Sequence, residues 1–237
     1  MINNYKAFKE KIKLPGKKTI YFCHYPKTGG TYFKNIIFNT TNGVDNINYY
    51  IINNSYVAKE LQRKNIQIEL LGHGEDYVKY KKKNTFLITT VRDPLEILKS
   101  YYSHGREGFG NLLRNDSINN FTDYVNLQID GKINNLLVGK YLFKNMFIDD
   151  KIIFDLIFKL ENIEGDLINF FNCFDLDITK INFNMNEYDK NSYIHDRFDN
   201  NYPMVHKNER KNLIIENDLK ERIKSTYITF YDFFEYK

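Results

Sequence analysis

The chain has 237 residues, 42% hydrophobic and 16% aromatic, ample for one core and expected to form one domain over 1–237. Its 34 basic and 30 acidic side chains leave a net charge of +4, too even for a nucleic-acid binder, whose basic excess is large and clustered. Two cysteines, Cys23 and Cys173, exclude a disulfide framework and show no zinc-type spacing.

Residues 1–18 read as a polar lead-in closed by Leu14-Pro15-Gly16. They contain no apolar leader, and no run approaches the ~18 apolar residues of a membrane span, so a complete chain of this sequence is expected in the cytoplasm. Thr19–Cys23 predicts a short buried strand in which Cys23 is a small core residue. Thr31–Phe38 predicts a helix with Phe33, Ile36 and Ile37 as its apolar positions, and a loop follows over Asn39–Asp45. Ser55–Lys64 predicts a second helix with Ser55 as N-cap. Ile66–Leu71 is a short apolar segment ending at Gly72-His73-Gly74, and Asp76–Lys83 a weak, lysine-rich helix.

The stretch "TFLITTV", Thr85–Val91, is the clearest strand: β-branched and uninterrupted, as a centrally buried parallel strand is. Pro94 suits the first turn of a helix over "PLEILKSYYSH", followed by a glycine-containing loop, Gly105–Gly110. Helices are expected over Phe121–Ile129 and Asn134–Phe147, a strand region over Ile152–Leu160 and a helix over Glu164–Phe174. Residues 175–205 read as irregular, and Asp218–Tyr236 as one closing aromatic-rich helix. Strands alternating with helices predict an α/β fold around a mostly parallel sheet.

Two stretches carry chemistry. In "HYPKTGGT" a glycine pair follows a strand and opens a helix, with Lys27 just upstream. A helix beginning there offers free N–H groups and a partial positive charge to an anion. Gly29 and Gly30 let the backbone approach it, and Thr28 and Thr31 offer hydroxyls. The order GxxxxGK[ST] is absent, so this is not a Walker A loop. The bland alternative is a turn with an incidental lysine. In "VRDPLEILKSYYSH", Arg92 leaves the best strand at its carboxyl end, where open α/β sheets bind ligands. Ser100 lies two helical turns on, and an Arg fork with a Ser hydroxyl suits a second phosphate. The alternative there is a capped helix with an Arg–Asp surface pair.

"HYPKTGGT" followed by "TVRDPLEILKSYY" resembles the carbohydrate sulfotransferases that use 3′-phosphoadenosine 5′-phosphosulfate (PAPS), in particular the branch with heparan sulfate 2-O-sulfotransferase and its bacterial relatives. "FKLENIEGDLINFF" (158–171), "VHKNERKN" (205–212) and "IKSTYITFYDFFEY" (223–236) are softer matches to later parts of that family. The resemblance implies a P-loop-like three-layer fold with a mostly parallel central sheet flanked by helices. It assigns the 5′-phosphosulfate to Lys27, Thr28, Gly29, Gly30 and Thr31, and the 3′-phosphate to Arg92 and Ser100. It places Lys207 and Asn208 in a loop over the nucleotide. Ile97 is a departure, since relatives often carry an arginine there. No metal is expected.

Sulfuryl transfer is an in-line displacement that relies on positioning and charge stabilisation, as phosphoryl transfer does. Lys27 suits the charge that grows on the bridging oxygen, and a base must take the proton of the acceptor hydroxyl. Among five histidines, His73 follows an apolar segment between glycines and matches the family's catalytic histidine. His104 and Glu75 are the alternatives; His24 reads as a strand-end packing residue, and His195 and His206 as loop residues. His104 and Arg106, in "SHGREGFG", are candidates for contact with a carbohydrate or other hydroxyl acceptor. The Lys79–Lys83 run is a solvated face or an acceptor-side patch. Two other functions stay open: a P-loop small-molecule kinase, which would need Mg²⁺ and ATP, and a PAPS-binding relative without catalysis.

Overall fold

Thr85–Val91 is an interior strand, as its composition predicts, buried at every position but its first. The computed structural model describes residues 3–25, 28–29, 33, 36, 56–72, 76–106, 118–131, 146–149, 151–183 and 213–236. The chain, read as one domain from its sequence, groups into two compact units, Met1–Arg92 with Ile148–Tyr193 and Asp93–Phe147 with Ile194–Lys237.

The first unit is α/β, with helix α1 (Tyr5–Ile12), strand β1 (Lys18–Cys23), helix α2 (Tyr56–Arg63), strand β2 (Ile66–Leu71) and strand β3 (Thr85–Val91). Strand β4 (Leu156–Lys159) and helix α5 (Ile163–Asn172) also belong to it. The four strands form one parallel sheet, flanked by helices, in the order β2-β1-β3-β4. The apolar segment Ile66–Leu71 is a full strand, paired along its whole length with Lys18–Cys23. The strand region expected over Ile152–Leu160 is narrower, because Asp155 turns its carboxylate to the Leu87 amide (3.0 Å) and to Lys81 (2.6 Å) just before β4 begins. The lysine-rich segment after Asp76 holds a single 3₁₀ turn, Tyr77–Tyr80, capped by the Asp76 carboxylate.

The polar lead-in is corrected by α1, whose Phe8 and Ile12 recur one turn apart and enter the core. Asn4 caps the helix, accepting from the Ala7 amide at 2.9 Å. Asn3 bonds both polar groups of Ile157, donating to its carbonyl (2.7 Å) and accepting from its amide (2.8 Å), which satisfies the outer side of β4 as a further strand would. Tyr5 donates to the buried Asp166 carboxylate (3.1 Å), which also accepts from the Lys159 amide (2.8 Å). Burial, and then the carboxylate beside it, pushes the Tyr5 phenol well above its ordinary range.

The core of this unit is largely phenylalanine. Phe22 of β1 and the helical Phe33 stack at 3.9 Å, and Phe170 of α5 meets Phe158 (5.5 Å), Phe174 (4.9 Å), Phe8 (6.0 Å) and Phe33 (6.4 Å). Cys23 and Cys173 are both buried and free, and burial pushes the Cys173 thiol up to about 11. Lys18 is buried too, its ammonium donating to the carbonyls of Leu14, Pro15 and Gly16 at 3.0–3.1 Å.

The second unit is helical, with α3 (Pro94–Arg106), α4 (Phe121–Ile129), α6 (Asn217–Thr226) and α7 (Ile228–Phe233). The single helix expected over Asp218–Tyr236 breaks at Tyr227 (φ −109°, ψ 23°). Thr226 there donates its hydroxyl to the Arg222 carbonyl (2.7 Å), and the Tyr227 amide still bonds the Ile223 carbonyl (3.0 Å). Tyr102, Phe121, Tyr124, Tyr227, Phe230 and Phe234 fill this core. Burial pushes the Tyr227 phenol up to about 12. Among the described residues no helix is long and apolar enough to cross a membrane.

Phe170→Ala is expected to lower the free energy of unfolding by about 3–5 kcal/mol, read from a urea titration. A loss below about 1 kcal/mol would mean that this aromatic cluster does not hold the sheet and α5 together.

Candidate functional site

Parallel pairing brings four chain exits to one edge of the sheet. Cys23 lies opposite both Leu71 and Thr89, and Val91 opposite Lys159. The glycine loop therefore leaves β1 at the edge where Gly72 leaves β2, Arg92 leaves β3 and Leu160 leaves β4. This is the carboxyl edge, where open α/β sheets hold ligands.

Gly29 has φ +94°, a left-handed conformation that side-chain-bearing residues rarely adopt. A Cβ there would overlap Leu160 Cδ1, so the missing side chain is also what lets β4's exit pack onto the loop. The Gly29 carbonyl accepts from the Phe33 amide at 3.1 Å, the spacing of a helix's first hydrogen bond. Strand, left-handed glycine and helical residues thus follow one another, and Phe33 and Ile36 are both helical and buried.

Thr28 differs from expectation. Its side chain is fully buried, and Oγ1 donates to the Tyr25 carbonyl (2.8 Å) and lies 2.9 Å from Thr90 Oγ1 of β3. The hydroxyl that the sequence offers to a ligand closes the turn from Tyr25 instead. The same edge is braced by aromatics. Tyr77 donates to the Gly72 carbonyl (2.9 Å), and its ring meets Tyr25 (5.4 Å) and Phe154 (6.3 Å) edge-on. His24, expected as a packing residue, donates its amide to Leu71 (3.1 Å), and its ring stacks near Phe22 (6.2 Å).

Arg92 is half-buried at the end of β3. In the helical unit, Asp93 caps α3: its carboxylate accepts from the Leu95 amide (2.7 Å) and from the Tyr231 hydroxyl (3.0 Å). Burial, and then the adjoining Asp93 carboxylate, raises the Tyr231 phenol far above its usual range. Pro94 is the first helical residue, as expected. Ser100 is buried in α3, as is Ile97, where an arginine would have to place its charge in a buried position. His104 and Arg106 fall in the last turn of α3, so the helix continues past the glycine-loop boundary expected at Gly105.

Lys27, Gly30, Thr31, His73, Glu75, Lys207 and Asn208 lie outside the described residues, as do His195 and His206. Within the lysine run, Lys81 is structural, bonded to Asp155 (2.6 Å) and the Ile153 carbonyl (2.9 Å), and Lys79 lies over the Tyr80 ring (5.0 Å). Among the described residues no group of three or more His, Cys, Asp or Glu side chains is arranged to hold a metal ion.

Sequence reasoning missed Thr90, Leu160, Tyr77 and Tyr231. Thr90 had a signal, a hydroxyl near the end of a strand that is otherwise apolar and buried. Leu160 had none, since it belongs to the glycine loop only through the sheet order. A scan of the chain against protein-family models returns no match, and neither does a search of curated proteins.

Gly29→Ala is expected to destabilise the protein by about 2–4 kcal/mol, from the left-handed backbone and the overlap with Leu160 together. Adding Leu160→Ala should make the pair less damaging than the sum of the two single changes, in a double-mutant cycle of urea midpoints. Strict additivity would show that Leu160 does not occupy the space above Gly29.

Proposed function

We propose that the chain is a PAPS-dependent sulfotransferase of the P-loop-like fold, which moves a sulfuryl group to a hydroxyl of a carbohydrate or glycoside. The observation that carries the reading is the loop: a left-handed Gly29 whose carbonyl accepts from the amide of the helical Phe33, on the carboxyl edge from which Arg92 also leaves. Helix-start amides and a guanidinium on one edge suit a ligand with two separate anionic groups. The order Pro26-Lys27-Thr28-Gly29-Gly30-Thr31, followed by Arg92-Asp93-Pro94, adds the resemblance to the PAPS-using family.

When bound, PAPS supplies an activated sulfuryl group. The backbone N–H groups from Gly29 to Thr31 hold its 5′-phosphate side, and Thr28 contributes through the main chain, its hydroxyl being committed to Tyr25 and Thr90. Lys27 neutralises the charge that grows on the bridging oxygen as the S–O bond breaks. Arg92 pairs with the 3′-phosphate. His73 takes the proton of the acceptor hydroxyl as its oxygen bonds to sulfur.

Calorimetric titration with the desulfated product, 3′-phosphoadenosine 5′-phosphate, tests this directly. Binding is expected near micromolar, about −8 kcal/mol, unmatched by ATP and at least tenfold weaker in Arg92→Ala. In a transfer assay with radiolabelled PAPS and a panel of glycosides, His73→Ala should lose a factor of about 10²–10⁴ in turnover. Equal binding of ATP, or no binding of either nucleotide, would overturn the reading.

A further inference from the structure

We infer that Thr90 is a positioning residue for the anion loop, acting through the Thr28 hydroxyl. The inference rests on the reading of that loop as the seat of the 5′-phosphate. Its basis is the direction of two hydrogen bonds. The Tyr25 carbonyl can only accept, so the single proton of Thr28 Oγ1 is donated to it, at 2.8 Å. That leaves Thr28 Oγ1 only lone pairs for Thr90 Oγ1, 2.9 Å away, and the proton in that contact belongs to Thr90. A relay therefore runs from Thr90 on β3, through Thr28, to the last described backbone carbonyl before the loop.

Both hydroxyls are fully buried, so water does not substitute for either partner. The relay fixes the rotamer of Thr28 and draws its side chain toward β3. Leu160 holds Gly29 from the β4 side, so Thr28 and Gly29 are held by two strand exits before the helix opens. The Gly29 amide, read as the first to meet the anion, follows directly on Thr28. Preorganisation of this kind shows as affinity for the anion, because the loop need not be ordered at the moment of binding.

The neighbouring residue supplies a matched control. Thr89 is equally buried on the same strand and donates to the Cys23 carbonyl at 2.7 Å, but it bonds β1 and not the loop. Thr89→Val and Thr90→Val each remove one buried hydroxyl at constant shape. Each full-length variant is to be titrated with 3′-phosphoadenosine 5′-phosphate beside the unaltered chain and Thr90→Ser, with a thermal melt of all four. Thr90→Val should bind roughly five- to tenfold more weakly, Thr90→Ser within about twofold of the unaltered chain, and Thr89→Val unchanged despite a similar loss of melting temperature. Equal weakening in Thr89→Val and Thr90→Val, or none in either, would overturn the inference while leaving the loop reading intact. Failure of the unaltered chain to bind would overturn the loop reading itself, and the role of Thr90 with it.

Discussion

In a parallel sheet every strand leaves by the same edge, and that constraint governs the rest of the first unit. Because β1 pairs with both β2 and β3 in parallel, the chain passes Gly72, the glycine loop and Arg92 along one line of strand ends. β4 adds Leu160 to that line. Each strand must then be recovered by a crossover, and β3, buried at every position but its first, lies in the interior of the sheet. Changing the direction of one strand would remove its exit from the edge. The candidate chemistry therefore depends first on backbone hydrogen bonding, and only then on the side chains carried out at the ends.

The loop itself is held by packing and by hydrogen bonds of opposite character. Gly29 is required by its backbone angle and by the leucine seated against it, a steric constraint that leaves a Cβ no room. Thr28 is required by a carbonyl and a second hydroxyl in a site closed to solvent. The stacked pair of Phe22 and Phe33 then fixes the following helix against β1. Three physically different interactions thus hold Thr28, Gly29 and Phe33 in place. A segment meant to meet a charged ligand without rearrangement is expected to be over-determined in this way.

Much of this was legible in the sequence, because the signals were local. The β-branched run of β3, Pro94 at a helix start and the paired glycines each report their own residue's backbone preference. What was illegible depended on partners distant along the chain. Phe8 and Ile12 lie among lysines, and the segment read as polar until the core showed which face was buried. The Thr28 hydroxyl looked like a ligand donor because nothing near it in sequence reveals Thr90 across the sheet. Lys81 looked like part of a solvated run because Asp155 is remote from it in the chain. The break at Tyr227 was missed since apolar periodicity runs on through it, from Ile223 to Phe230 and Phe234.

In the proposed reading the carboxyl edge, and not another part of the chain, receives the nucleotide. A cavity of about 310 Å³ at the opposite edge, lined by Leu14, Pro15, Lys64, Asn65 and Phe174 among others, offers a direct competitor. Hydrogen–deuterium exchange with and without 3′-phosphoadenosine 5′-phosphate distinguishes the two. Protection is expected in peptides covering residues 24–38 and 88–93, with residues 12–16 and 64–66 unchanged. Protection at 12–16 and 64–66, with the glycine loop exchanging as before, would contradict it.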